Sequence, residues 1–579
     1  MKVVVIVAVY LLGFVRQEPP AHLIVVNARI WTGVPGQADA EALAVREGRL
    51  VAVGRSADVR KLADKGTKII DAGGRRVIPG LTDAHTHIIS GGISLARLSL
   101  REVPDKAAFI RAVGDDAAEK PRGQWVLGGR WSVESWKNPE PPTRHWLDPV
   151  TGHTPVFLER MDGHQALVNT AALRIAGIDV HGPPDPKGGE IERDPTTGEP
   201  TGILKDAAMD LVSKHIPEPD EDALYAALLR AMKHLNALGI TSVHDMSDPA
   251  HLPVFARAHR EGSLTVRIHS FLSTSDWDAN IAKVRESPIR DDLCRVAGFK
   301  GYMDGSLGSR NAFMREPFAD AAPGAKYPRG QLTDFADPPA EFQQIVARAD
   351  AAGLQLAVHA IGDEANHLLL DAYEKARSDD AEGSNKGGRT AADREVAGRI
   401  ADHKAVRHRI EHAQHLLLED IPRFAALGVV ASMQPYHKSD DGRYAEKALG
   451  AARLPGSYAF RRLLDAGAIV AFGSDWPVVT ADPFAGIDAA VNSRTLAGDA
   501  WQRDNAITVA DALACYTRHA ALAAHAESRL GTLEPGKLAD FVILTEDVLN
   551  IPQERIAAIR AYKTFMNGND VGAALTKQK

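Results

Sequence analysis

An α/β chain organised around a (β/α)8 barrel is what this sequence predicts, with a small β-sandwich domain assembled from both chain ends and a large insertion after the first barrel strand. Three observations carry the prediction. Eight short apolar, β-leaning runs recur with helical stretches between them, the alternation of a parallel α/β sheet. Histidine, lysine or aspartate sits at or near the C-terminal end of most of these runs, where a TIM barrel keeps its active site. Both chain ends carry alternating, hairpin-type strands too short to bury a core alone.

The bulk numbers bound the reading. The chain has 579 residues, 45% hydrophobic and 25% charged, enough for a barrel and a smaller domain. Net charge is −7, and the basic residues are spread rather than clustered, which excludes a nucleic-acid footprint. The two cysteines, Cys294 and Cys515, are far apart. A disulfide framework is excluded, and any metal site must draw on histidines and carboxylates.

In chain order, residues 1–20 read as a signal-like or membrane-anchor segment: Met1-Lys2 precedes the apolar run Val3–Val15, closed by Arg16-Gln17-Glu18-Pro19-Pro20. The run is short for a membrane span and suits a secretory hydrophobic region. It predicts an exported, periplasmic or membrane-tethered protein, with a buried strand in a cytoplasmic protein as the alternative. Residues 21–76 then carry Leu23–Ile30 and Ala42–Gly54, the latter punctuated by Glu47-Gly48, and residues 525–579 carry Gly536–Leu544 and Ile559–Asn567. The two ends are expected to pair into one composite β-domain.

The barrel is expected over 77–524. Its first strand ends in Asp83-Ala84-His85-Thr86-His87; in extended backbone, residues two apart point the same way, so both imidazoles can reach one ion. About 150 residues separate this strand from the next, far beyond an ordinary connection. The stretch from about 100 to 235 is therefore read as an insertion covering the barrel mouth. Its Trp125, Trp131 and Trp136 line a pocket or form the insertion's own core, and both readings stay open. The remaining strands are placed at Gly239–Asp245, Leu264–His269, Val296–Tyr302, Leu354–His359, His408–His412, Val429–Gln434 and Ile469–Asp475. A polar stretch, Ser378–His403, reads as loop and helix without chemistry.

The chemistry-bearing set is His85, His87, Lys300, His359, His412 and Asp475, with His244 and His269 as secondary contacts. Each histidine alone reads as a hydrogen-bonded core residue; their common position makes the set read as ligands. Leaving Lys300 aside, they exceed the roughly three protein ligands of a catalytic zinc, so one ion or two are both open. Lys300 alone reads as a rim salt bridge. Glu411 either orients a ligand histidine or pairs with Arg409, and the second reading is favoured.

Taken together, the motifs resemble the metal-dependent amidohydrolase superfamily, and within it the amidohydrolase-3 branch that includes N-substituted formamide deformylase-like enzymes. The matching text is Pro79-Gly80-Leu81-x-Asp83-x-His85-x-His87, Asp162-Gly163-His164, Thr201-Gly202-Ile203-Leu204, Lys300-x-x-x-Asp304-Gly305-Ser306-Leu307-Gly308-Ser309-Arg310, His359-Ala360-Ile361-Gly362-Asp363, Arg409-Ile410-Glu411-His412 and Gly473-Ser474-Asp475-Trp476-Pro477. The resemblance implies one or two divalent ions, usually zinc, with Lys300 carboxylated by carbon dioxide to a bridging carbamate. It implies hydrolysis of a non-peptide C–N bond by a metal-activated hydroxide, with Asp475 as ligand, general base and then general acid. Candidate substrate contacts are Asp162, His164, Asp304, Arg310, Gln434 and Trp476. The expected partner is a small molecule, with a homodimer as the expected assembly. Two alternatives remain: a mononuclear deaminase or ester or lactone hydrolase of the same superfamily, and a non-catalytic envelope binding protein.

Overall fold

The computed structural model describes residues 19–133, 136–160, 165–187, 189–286, 290–337, 339–381 and 406–572. The N-terminal apolar run and most of the Ser378–His403 stretch lie outside them. The chain divides into two compact units, one comprising residues 1–87, 232–249 and 259–579, the other 88–231 and 250–258.

The first unit contains an eight-stranded sheet in consecutive order: β1 Leu81–Thr86, β2 Ile240–Ser247, β3 Arg267–Ser273, β4 Cys294–Tyr302, β5 Gln355–Ala360, β6 Arg409–His412, β7 Val430–Met433 and β8 Ile469–Phe472. Every neighbouring pair is parallel. The ring closes where Thr86 bridges Trp476 in parallel sense and where Asp475 N donates to His85 O at 2.7 Å and His87 N to Trp476 O at 2.9 Å. The closure brings two backbones close together. A Cβ on Gly473 would sit 2.3 Å from His85 N, so only glycine lets the segment after β8 lie against β1.

Strand β3 starts and ends later than the sequence predicts, because the alternation continues through Ser270-Phe271-Leu272. His269 is therefore not at the mouth. It pairs across the ladder with His244, well inside the sheet.

Two further sheets belong to the same unit, the first built from N-terminal strands alone and the second from both chain ends. Arg49–Gly54, Ala42–Arg46, Leu23–Val26 and Lys68–Asp71 form one. Arg29–Ile30, Arg76–Pro79, Phe541–Leu544, Ala561–Met566 and Asn569–Asp570 form the other. The single run anticipated over Leu23–Ile30 breaks at Asn27, whose φ of 52° turns the chain from one sheet into the other; asparagine tolerates this left-handed region better than most residues. Leu23, Val25, Leu43 and Val45 from the first sheet share a core with Val77, Phe541, Ile543 and Phe565 from the second.

The second unit is built on a six-stranded sheet running, in spatial order, through Gly189–Arg193, Pro200–Asp206, Gln165–Val168, Val156–Arg160, Val126–Trp131 and Leu98–Ser99. Trp131, Trp136 and Trp146 are buried with Phe109 in one of its cores, and Trp125 in another. Of the two readings of these tryptophans, the structure gives the unit's own core.

Candidate metal centre

Strand geometry delivers the candidate ligand set. His85 lies near the end of β1, Lys300 near the end of β4, His359 near the end of β5 and His412 at the end of β6, while His87 and Asp475 follow β1 and β8 directly. His412 and Asp475 hold left-handed backbone, with φ of 72° and 61°. Such conformations in residues other than glycine cost energy and concentrate at functional sites.

The side chains converge. His85, His412 and Asp475, all buried, each offer a ligand atom within 4.8 Å of the others. Asp475 Oδ1 lies 3.4 Å from His85 Nε2 and 3.2 Å from His87 Nε2. The His412 ring centroid is 4.9 Å from that of His85 and 4.5 Å from that of His359. Lys300 Nζ and His412 Nδ1 are buried and have no hydrogen-bond partner among the described residues. Buried polar atoms are almost always satisfied, and two unsatisfied ones in one cluster are what a ligand-binding centre leaves open. The donor set, imidazoles plus carboxylate, suits a divalent transition ion. The residues fit.

The electrostatics agree. Burial, then the charge of Lys300, lowers His85 to about 4 and His359 to about 3. Burial and the neighbouring imidazoles hold His412 well below its ordinary value. These rings are neutral near pH 7, the state in which imidazole ligates metal. Burial alone would raise Asp475, but the hydrogen bond from His87 and the nearby histidines hold it well below the usual carboxylate range. Burial pushes Lys300 down to about 8, against the opposing charges of Glu411 and Asp475.

A ring of supporting contacts fixes these groups. Glu411 Oε2 is 2.5 Å from His85 Nδ1, and Arg409 donates to Glu411 Oε1 at 2.8 Å and Oε2 at 3.0 Å. Glu411 thus both pairs with Arg409 and orients a candidate ligand, and that histidine is His85. Asp83 accepts from Ser474 N at 2.8 Å and His85 N at 3.2 Å, tying the β1 and β8 ends together.

The predicted pocket residues fare differently. Asp304 accepts from the backbone N–H of Ile361, Gly362 and Phe313 at 2.8–3.0 Å, so it anchors a loop beside His359 instead of facing substrate. Arg310 spends its guanidinium on Asp320, at 2.9 and 2.6 Å, and on Leu307 O at 2.7 Å. Gln434 is buried, with Nε2 3.3 Å from Ser432 O. Trp476 is buried and stacks on His234, centroids 5.3 Å apart. Asp162 and His164 lie outside the described residues. Sequence reasoning placed Asp83 in the first-strand motif without giving it a role, which the every-other-residue spacing before His85 and His87 could have suggested, and it missed His437, for which no sequence signal existed.

Comparison with known proteins decides the class. The family model described as "Amidohydrolase family" matches residues 68–571. The chain belongs to the amidohydrolase family. Among similar proteins, this amidohydrolase is 37% identical to Protein LONG AFTER FAR-RED 3 of Arabidopsis thaliana, over 91% of this chain and 87% of that one. It is 28% identical to N-substituted formamide deformylase of Arthrobacter pascens, over 94% and 97%. An uncharacterized metal-dependent hydrolase from Pyrococcus horikoshii superposes with a TM-score of 0.73 at 26% identity, covering 92% of this amidohydrolase and 99% of that chain. This amidohydrolase is a metal-dependent hydrolase.

Proposed function

We propose that this amidohydrolase cleaves an amide-type, non-peptide C–N bond in a small, partly apolar substrate. In this reading His85, His87, His359, His412 and Asp475 hold zinc, and Lys300 is carboxylated to join them. The observation that carries the reading is Lys300, a buried ammonium without a hydrogen-bond partner among the described residues, in a cluster of groups that attract cations. A buried charge without a hydrogen bond is costly, and its lowered pKa leaves a fraction of neutral amine at neutral pH, the form that reacts with carbon dioxide. The relative named N-substituted formamide deformylase supports the bond type.

When bound, zinc would acidify water and polarise the scissile carbonyl. Asp475, ionised at neutral pH, takes a proton from the attacking water and delivers it to the leaving nitrogen. The C–O bond forms, the C–N bond breaks, and the amine departs neutral. Glu411, itself fixed by Arg409, keeps the proton of His85 on Nδ1 and leaves its Nε2 lone pair toward the site. The apolar run Val3–Val15 supports export; among the described residues, no helix is long and apolar enough to cross a membrane.

The test is metal content and native mass of protein purified without chelator, followed by a screen of N-substituted amides and formamides. Two ions and a carbon dioxide adduct absent from Lys300→Ala, together with release of amine, are expected. A second reading rests on the compact group His85, His412 and Asp475, which has the ligand number of a single-ion site. One ion, no adduct, and turnover of a ring amine or an ester would establish that reading instead.

A further inference from the structure

The Asp475 carboxylate is held unevenly. Its Oδ1 lies 3.2 Å from His87 Nε2, which hydrogen-bonds it, and 3.4 Å from His85 Nε2, whereas Oδ2 faces His437 Nε2 at 3.9 Å. That distance is too long for a hydrogen bond, and His437 Nε2 is a buried atom with no hydrogen-bond partner among the described residues. The unsatisfied ring nitrogen therefore sits just beyond hydrogen-bond reach of a carboxylate oxygen. Aspartate χ2 is broad and roughly two-fold, so a carboxylate gripped at one oxygen can still swing the other.

The placement of His437 is expensive. It belongs to the helix Pro435–Asp441, which starts directly after β7, and its ring lies parallel to that of His412, 8° off with centroids 6.1 Å apart. The rest of the helix is bolted to the scaffold. Lys438, almost fully buried, donates from Nζ to Ser493 Oγ at 2.5 Å and to Gln502 O at 3.2 Å. Asp441 accepts from Tyr458 Oη at 2.6 Å, and from Gln414 and Tyr444. A surface helix needs no buried lysine to hold it. These contacts fix the rotation of the helix, and with it the direction of the residue beside Lys438.

We propose that His437 is a positioning residue for Asp475: in the metal-loaded protein its Nε2–H closes on Oδ2 and sets the oxygen that carries the proton to the leaving nitrogen. Hydrogen bonds in catalytic sites are often long before the complete site assembles. The proposal rests on the reading of Asp475 as the proton carrier.

Two measurements test it separately from the C–N reading. In a crystal structure of the zinc-loaded protein, Nε2 to Oδ2 should shorten to about 3 Å; a gap that stays near its present length or widens overturns the proposal whatever the substrate. Kinetics with amides whose leaving amines span a range of basicity should show His437→Ala slowing kcat about 10- to 100-fold for basic amines, with a progressively smaller loss for weakly basic ones. His437→Gln, whose amide can donate from a similar place, should recover part of the loss, with zinc content unchanged in both variants. An equal loss across the series would make His437 merely structural. Wild-type protein that cleaves none of the series would instead sink the C–N reading, and the crystallographic distance would still decide the role of His437.

Discussion

His85, His359 and His412 lie at the barrel mouth beside Glu411 and Asp475, whereas His244 and His269, buried on strands of the same barrel, lie against arginines. Arg409 Nη1 is 2.6 Å from His244 Nδ1, and Arg295 Nε is 3.3 Å from His269 Nδ1. Burial, then the adjacent guanidinium, holds both deep histidines well below their ordinary value, as burial and neighbouring groups do at the mouth. Neutral imidazole is therefore available at both levels. The surrounding charge separates them, because carboxylates invite a cation and guanidinium groups repel one. Histidine alone does not make a metal centre; the sign of its neighbours does.

The sharpest way to break this contrast is to remove the negative charge at the mouth. Asp475→Asn should lower kcat about a thousandfold with the fold intact by circular dichroism. A variant retaining most of its activity would dethrone Asp475. Next in size, Glu411→Gln should weaken zinc affinity about 10- to 100-fold, read by chelator competition, since His85 loses the partner that fixes its tautomer.

Acid probes the buried rings at the mouth, together with His415, a buried histidine just after β6. His85, His359 and His415 have folded values of about 4, 3 and 3, lowered from 6.5, so the unfolded chain binds more protons as pH falls. Metal-free protein should lose stability progressively as pH drops from about 6.5 toward 3, the sign required when the native state favours the neutral ring. Denaturant midpoints that are flat across this window would contradict the burial of neutral rings. The smallest effect belongs to the deep layer. His269→Gln should leave zinc content and kcat unchanged and cost about 1–3 kcal/mol of stability, the penalty of disturbing a buried polar contact.

The sequence made the mouth legible and the depth illegible, for a physical reason. The strand ends carrying His85, His359, His412 and Asp475 are marked by a switch from apolar run to polar residue, which linear text displays. Whether His269 sits at an end or in the middle depends on where β3 stops, and Ser270-Phe271-Leu272 is compatible with either. Family motifs pointed to Asp304 and Arg310 but not to their partners; three backbone amides and Asp320 were already claiming them. His437 could not be read at all, because its importance comes from the rotation of a short helix fixed by Lys438 and Asp441. The break at Asn27 was equally hidden, since one left-handed residue reassigns a strand without altering its pattern.

The sheet that joins the two chain ends also sets a timetable. Arg76–Pro79 pairs with Phe541–Leu544 and runs through Gly80 straight into β1, and a Cβ on Gly80 would meet Thr241 Oγ1 at 2.2 Å. On the ribosome, this early strand must wait until almost the entire chain has emerged, tens of seconds at ordinary elongation rates. Throughout that interval its backbone donors and acceptors on the Phe541–Leu544 side have no native partner, and unpaired strand edges are adhesive. A nascent chain stalled before residue 541 would carry His85, His359, His412 and Asp475 but not the strand that seals this edge, so the last 39 residues are the ones that complete the sheet.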